Sequence, residues 1–393
     1  MRRSYKFPLR PTARQHVALG KCLDAHRELY NAALQERRDA WKLCQVGISY
    51  NAQSAQLSEI RTLRPDVAVW SFSSEQATLR RLNKAFDAFF RRVRSGDTPG
   101  YPRFKAAHRF DMVEWPKDGD GAKWKPEVSR VYLQGVGHVK VTTHRSVAGR
   151  VKTISVKREG RRWYLVLSAD QVPVQPLAPT DKAVGIDLGI VSFLTTSDRQ
   201  HVDNPRWARR AADRLATSQR VLARKKPGSK NRRAARETVA SRHRKVANCR
   251  RDFHHKTARQ LVAGHDVICV EDLRVTNMVC RAKAVPDPKC PGGFLPTGAA
   301  AKSGLNRSIS DAGWAQFANI LVAKAQEAGR QVIFVDPRHT STTCSNCGHV
   351  SASNRVSQAV FRCHKCGDET HADVNAARNI LRAGLARLVA TAA

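Results

Sequence analysis

The stretch KAVGIDLGIVSFLTTSD, residues 182–198, decides how the second half of this 393-residue chain folds. Ala183, Val184 and Ile186 make an apolar strand, Gly185 and Gly189 bracket a tight region, and Val191 to Leu194 open a second strand. One acid, Asp187, stands inside that pattern, exposed beside a turn by its small neighbours. Working outward, HDVICVEDL (265–273) and QVIFVDP (331–337) read as further buried strands, and Glu271 follows VICV at the C-terminal edge of the first. HADVNAARNILRAG (371–384) reads as a closing helix with Asp373 at its start. Its small residues Ala372, Ala376 and Ala377 would let it pack closely on a sheet.

Between these strands runs a long basic helical region, Arg206 to Gly264, broken near Lys226-Pro227-Gly228-Ser229. Arg209, Arg210, Arg220, Arg224, Lys225, Lys226, Arg232, Arg233, Arg236, Arg244 and Lys245 are among its cations. Its acids are Asp213, Glu237 and Asp252, too few for i,i+4 pairs to absorb the charge. A basic helical hairpin lying along a nucleic-acid backbone is the better reading than a solvated face.

The whole chain repeats the message. Lys+Arg number 69 against Asp+Glu 33, a formal net charge of +36. So large an excess opposes compaction unless a polyanion neutralises it, and nucleic acid is that polyanion. A hydrophobic share of 41% supports real cores and excludes a chain disordered throughout. The length predicts two to four domains. No apolar run reaches membrane-spanning length and the start, MRRSYKFPLRPT, has no signal-peptide apolar segment, so a membrane role is not expected. A cytoplasmic, nucleoid-associated setting is.

The first half reads as a β-rich unit interrupted by helices. SYKFPLR (4–10) alternates as a strand, and a helix runs from Ala13 to about Lys42. A second helix, roughly Ser74 to Val93, carries Leu79, Leu82, Phe86, Phe89, Phe90 and Val93 at three- and four-residue steps. That stripe predicts a core seam rather than a base-stacking platform. Strands are expected from about 110 to 172, including a hairpin of 151–157 and 162–169 about Glu159-Gly160-Arg161. Pro173, Pro176 and Pro179 mark a boundary. In the second half, residues 276–305 read as a long loop and Asp311–Gly329 as an amphipathic helix.

Singly, Asp187, Glu271 and Asp373 would each be structural more often than not. Together they fit phosphodiester hydrolysis by two Mg²⁺ ions, which needs carboxylates converging from different elements. The cysteines are sharper. Cys344-x2-Cys347, fifteen intervening residues and Cys363-x2-Cys366 match a Cys₄ zinc site, with Gly348 and Gly367 placed for the tight turn after each pair. Two disulfides or four free thiols are the alternatives. With all four positions filled, the zinc would be structural. The scattered Cys280 and Cys290 read as free thiols, and His254 and His255 as phosphate neighbours or packed side chains. No G-x-S-x-G and no Walker loop is present.

In this order and spacing the chain resembles the TnpB family, compact transposon-encoded RNA-guided DNA nucleases related to type V CRISPR effectors. The resemblance rests on YKFPLRPT with Gln15, Tyr30-Asn31, AFDAFFRR followed by GYPRFK, GIDLG, VEDL with Asn277-Met278, TSTTCSNCG, CHKCG and HADVNAARNI. It implies a multidomain α/β protein: a wedge β-barrel (1–12 and 100–178) interrupted by a helical recognition lobe (13–99), a RuvC, RNase H-like nuclease domain (179–339 and 371–393) and an inserted zinc ribbon (340–370). It also implies that Asp187, Glu271 and Asp373 are the three RuvC carboxylates holding Mg²⁺, and that a guide RNA and a double-stranded target DNA are the partners of a monomer. Thr342 and Ala323 depart from the family's commoner glutamine and tyrosine, and neither removes a metal ligand. The rival readings are a nucleic-acid-binding regulator that does not cut and a DNA transposase.

Overall fold

The strand β1 (Arg3–Arg10) forms where the alternation predicts, with Tyr5, Phe7 and Leu9 buried on one face. The computed structural model describes residues 1–290 and 292–392, and they divide into two compact units, Met1–Pro173 and Val174–Ala393. The boundary falls at the first of the three prolines. Of the expected segments, position 291 of the 276–305 loop and position 393 of the nuclease domain lie outside the described residues.

In the first unit β1 is followed by helices α1 (Ala13–Cys44), α2 (Tyr50–Ala55), α3 (Leu57–Leu63), α4 (Pro65–Ala68) and α5 (Phe72–Arg94). Thr12 and Gln15 start α1 with a reciprocal capping box, Gln15 N–H donating to Thr12 Oγ1 and Thr12 N–H to Gln15 Oε1. Strands β2 (Met112–Trp115), β3 (Ala122–Lys125), β4 (Arg130–Leu133), β5 (Gly137–Val141), β6 (Arg150–Glu159) and β7 (Arg162–Asp170) then complete an antiparallel sheet. Its order is β2-β6-β7-β1-β5-β4-β3, so β1 sits in the middle. Where a barrel was expected, the order ends at β2 and β3, with no pairing between those two strands among the described residues.

The stripe on α5 is a core seam only in part. Leu79, Leu82 and Phe86 are buried, but Phe90 is 53% and Val93 50% exposed. Beyond Phe86 the rings of Phe89, Phe90 and Tyr101 pack on one another, which satisfies the periodicity without burying the helix end.

The second unit begins with β8 (Ala183–Asp187), β9 (Ser192–Thr196) and β10 (His201–Asp203), then the basic hairpin α6 (Trp207–Ala223) and α7 (Lys230–Gly264). After β11 (Val267–Glu271) come α8 (Val275–Met278), α9 (Ala299–Ala312), α10 (Trp314–Glu327) and β12 (Gln331–Val335). A small ladder of β13 (Val360–Arg362) and β14 (Glu369–His371) leads into α11 (Ala372–Ala392). The main sheet runs β10-β9-β8-β11-β12, antiparallel across the first three strands and parallel across β8, β11 and β12.

Helices cover both faces of this sheet. Ile186, Phe193 and Ile268 pack with Leu261 of α7 and Phe317 of α10. On the other face Cys269, Ile333 and Val335 meet Ile380 of α11. That two-sided burial explains why β8, β11 and β12 read as unbroken apolar runs.

Two expectations for this unit need correction. The 276–305 segment is not all loop, because most of α8 and the first half of α9 lie within it. The amphipathic helix Asp311–Gly329 is two helices: α9 reaches Ala312, and Gly313 at φ 69° turns the chain into α10. The Ala-rich run 299–301 has high helix propensity, which its Gly- and Pro-rich surroundings mask in sequence. Among the described residues no helix is long and apolar enough to cross a membrane.

Candidate active site and metal centre

Parallel pairing sets β8 beside β11 with Ile186 opposite Val270, so their C-terminal ends carry Asp187 and Glu271 to the same edge of the sheet. Asp373 arrives from the first turn of α11, a helix that lies directly on β8 and β11. Close approach makes this possible. A Cβ at Gly185 would stand 2.0 Å from the carbonyl oxygen of Ala377, and one at Gly384 would stand 2.2 Å from Cys269 Sγ. Only glycine permits either contact.

Each acid has its own partner. Glu271 Oε1 accepts a 2.6 Å hydrogen bond from Thr340 Oγ1. Asp373 Oδ1 lies 3.5 Å from a terminal nitrogen of Arg355, whose guanidinium also donates to the carbonyl of Gln358. The Asp373 N–H donates to His371 Nδ1, and the His371 ring packs edge-on against His201. Burial, then the negative charges of Glu271 and Asp373, push the Asp187 carboxyl up to about 7, against the pull of Arg355 and of the Leu188 N–H. Burial likewise raises Glu271, opposed by the Thr340 hydroxyl. The structure therefore brings the three sequence-nominated acids together as a strained electrostatic cluster.

Thr340, Arg355, Asn375 and Asn379 had no role in the sequence reading. Asn375 accepts from Ser345 N–H and donates to the Thr343 carbonyl, while Asn379 donates to the carbonyls of Thr340 and Thr343. They tie the chain entering the cysteine cluster to α11. Two asparagines at i,i+4 on the buried face of an apolar helix were the available signal.

The four cysteines converge as their spacing predicts. All four sulfurs lie within 4.8 Å of one another, and no other such cluster of metal-ligating groups occurs among the described residues. Sγ–Sγ separations of 3.7 Å (Cys344–Cys366) and 3.6 Å (Cys347–Cys363) suit zinc, because a tetrahedron with Zn–S bonds of ~2.3 Å has edges of ~3.8 Å. Gly348 at φ 76° and Gly367 at φ 72° donate back to the carbonyls of Cys344 and Cys363, closing both knuckles. Cys280 and Cys290 are exposed, outside any such cluster.

On the basic hairpin, Arg209, Arg210, Arg220, Arg224, Lys225, Lys226, Arg233, Arg236 and Lys245 are exposed, and Arg244 is half-buried. Arg232 is engaged within the fold, its guanidinium donating to the carbonyls of Leu222 and Lys225 where α6 ends. His254 is a packed residue: it is buried against Phe193 and Phe317, with Nε2 hydrogen-bonded to the Ala312 carbonyl.

Residues 154–282 match the family described as "Probable transposase", 314–380 the "Cas12f1-like, TNB domain" and 1–44 a "Helix-turn-helix domain". The "Putative RNA-guided DNA endonuclease InsQ" of Escherichia coli (strain K12) is 33% identical over 387 residues, 98% of this chain and 93% of that protein. A "Putative RNA-guided DNA endonuclease" of Streptomyces pristinaespiralis is 32% identical across 98% of this chain and 90% of its own. The "CRISPR-associated endodeoxyribonuclease Cas12f1" of Sulfoacidibacillus thermotolerans is 26% identical across 80% of this chain and 77% of its own. Among solved structures, that of the "mini-RNA-guided endonuclease CRISPR-Cas_phi3" aligns at 12% identity and a TM-score of 0.48, covering 98% of this chain and 92% of the other.

Proposed function

The chain belongs to the TnpB family, and we propose that it is an RNA-guided DNA endonuclease that cuts DNA at Asp187, Glu271 and Asp373. The observation that carries the assignment of those residues is their convergence at one sheet edge, with Asp187 raised to about 7 by burial and by the other two carboxylates. Such a cluster is unfavourable by itself and is relieved by divalent cations, which makes it a fitting holder for Mg²⁺. When bound, the ions supply an activated water and stabilise the leaving oxygen.

The chain's own residues do the positioning. Thr340 orients Glu271, Arg355 holds Asp373 and offers a cation to an incoming phosphate, and His371 fixes the backbone where α11 starts. The Cys₄ centre, filled by four protein ligands, has no open position and acts as a zinc scaffold between Thr340 and Asp373. The sheet order and strand directions support an RNase H-like, RuvC reading of this unit. Guide RNA and target DNA are the partners that the relatives' names indicate, and a +36 chain suits gripping their phosphates while base pairing selects sequence.

The test is to purify the protein with its co-bound RNA and incubate it with a guide-matched duplex, Mg²⁺ and, in parallel, the Asp187→Ala variant. RNA- and Mg²⁺-dependent cuts that vanish in the variant establish the function. Binding without cutting by the unsubstituted protein would favour a regulator, and strand joining without RNA a transposase.

A further inference from the structure

A cavity of about 1260 Å³ in the second unit is separate from the three acids and is bounded by the start of α6, by α7, by α9 and by the chain after α8. Arg206, Arg209, Arg250, Arg281, Lys302 and Arg307 line it, with Asp311 the one acid in its wall. That acid is already engaged. Its oxygens accept from the backbone N–H groups of Ala208 and Arg209 and from Arg250. Arg209, Arg281 and Arg307 are exposed and make no ion pair among the described residues.

The wall is built rather than incidental. Asn306 Nδ2 donates to the carbonyls of Val279 and Cys280, and Lys302 Nζ donates to that of Met278, so α9 is clamped to the chain opposite it. Two polar atoms in this wall, Arg250 Nε and Asn306 Oδ1, are buried without a partner. Like charges held together around a cavity wider than the ~300–1,000 Å³ of small-ligand sites call for an extended polyanion.

Position decides which polyanion. Ile190 also lines the cavity, and its carbonyl accepts from Asn204 and Arg206. It lies three residues beyond Asp187, so the two Cα atoms are at most about 11 Å apart. A strand with its scissile phosphate at Asp187 therefore has neighbouring phosphates within reach of this cleft. Resting on the nuclease reading above, we propose that the cleft is a strand-holding subsite: Arg209, Arg281 and Arg307 grip backbone phosphates of the single-stranded DNA being cut.

A photo-crosslinker placed at the exposed lining residue Ser303 (Ser303→p-benzoylphenylalanine) tests this in the full chain, loaded with guide RNA and a matched duplex whose strands carry different labels, with Ca²⁺ replacing Mg²⁺. Crosslinking to a DNA strand is expected; crosslinking to guide RNA alone, or to nothing, overturns the proposal. This readout requires no cleavage, so it stands apart from failure of the nuclease assignment itself. In a second arm, Arg209→Gln, Arg281→Gln and Arg307→Gln are combined. Cleavage should fall about tenfold or more at physiological salt and recover as salt is lowered, since each phosphate contact steepens the salt dependence by ~0.7 in log–log slope. Guide-RNA affinity should stay within about twofold, and the triple lysine variant should restore cutting. Unchanged cleavage in the glutamine variant, or an equal loss of guide binding, would overturn the subsite.

Discussion

Gly185 and Ala377 stand backbone against backbone: a Cβ on the glycine would lie 2.0 Å from the alanine's carbonyl oxygen. This contact seats α11 on β8 and thereby sets where Asp373 stands relative to Asp187. Gly185→Ala should lower stability by ~1–3 kcal/mol through overpacking, read as a drop in the thermal midpoint. Cleavage should fall further than the fraction folded accounts for, because the helix moves with Asp373. An Ala variant that cuts at the parental rate would mean that the seat tolerates displacement.

Thr340→Val removes the hydroxyl that donates to Glu271 while keeping the side chain's shape. A hydrogen bond to a charged group contributes ~1.5–3 kcal/mol, so the cleavage rate should drop by about 10- to 100-fold. Thr340→Ser should recover most of it. Failure of serine to rescue would point to packing instead of orientation.

Arg355→Ala should reduce cleavage while leaving guide-RNA binding and zinc content unchanged, since the guanidinium faces Asp373 and Asp187 rather than the cysteines. Arg355→Lys keeps the charge and should retain part of the rate. Single-turnover cleavage beside filter binding separates the two effects.

The raised carboxyl of Asp187 makes the metal-free protein pH-sensitive. A folded-state value of about 7 against an ordinary value of 3.8 gives a contribution to stability that is complete below 3.8 and lost as pH rises through about 7. Asp187→Asn abolishes that loss. Chemical denaturation in EDTA should find the variant more stable than the parent at pH 8, with the advantage gone at pH 4. Mg²⁺ should restore parental stability at pH 8 and leave the variant less affected.

One zinc per chain is expected by elemental analysis, with Cys363→Ser reducing it sharply. Because Asn375 and Asn379 tie the Thr340–Ser345 chain to α11, losing the metal should loosen Thr340 and impair cleavage without direct contact with DNA. Proteolysis within 340–370 should accelerate in parallel.

The sequence by itself nominated the three acids, and it placed β8, β11 and β12 and the convergence of the four cysteines. Each is a local signal: unbroken apolar runs at β8, β11 and β12, a C-x2-C repeat whose knuckle glycines close on themselves, and isolated acids at element ends. Local propensity also placed the first helix, expected from Ala13 to about Lys42 and found over Ala13–Cys44. It failed where context overrode it, at α9 within Gly- and Pro-rich chain and on α5, whose stripe continues past the core to the exposed Phe90. Only the tertiary structure decided how the acids interact and what holds them. Thr340 is 69 residues from Glu271 in sequence and 2.6 Å from it in space, a separation set by how β11 and α11 pack on β8 and not by any spacing along the chain. Arg355 is the same case: it reads as one cation among 69 until the fold lays it against Asp373.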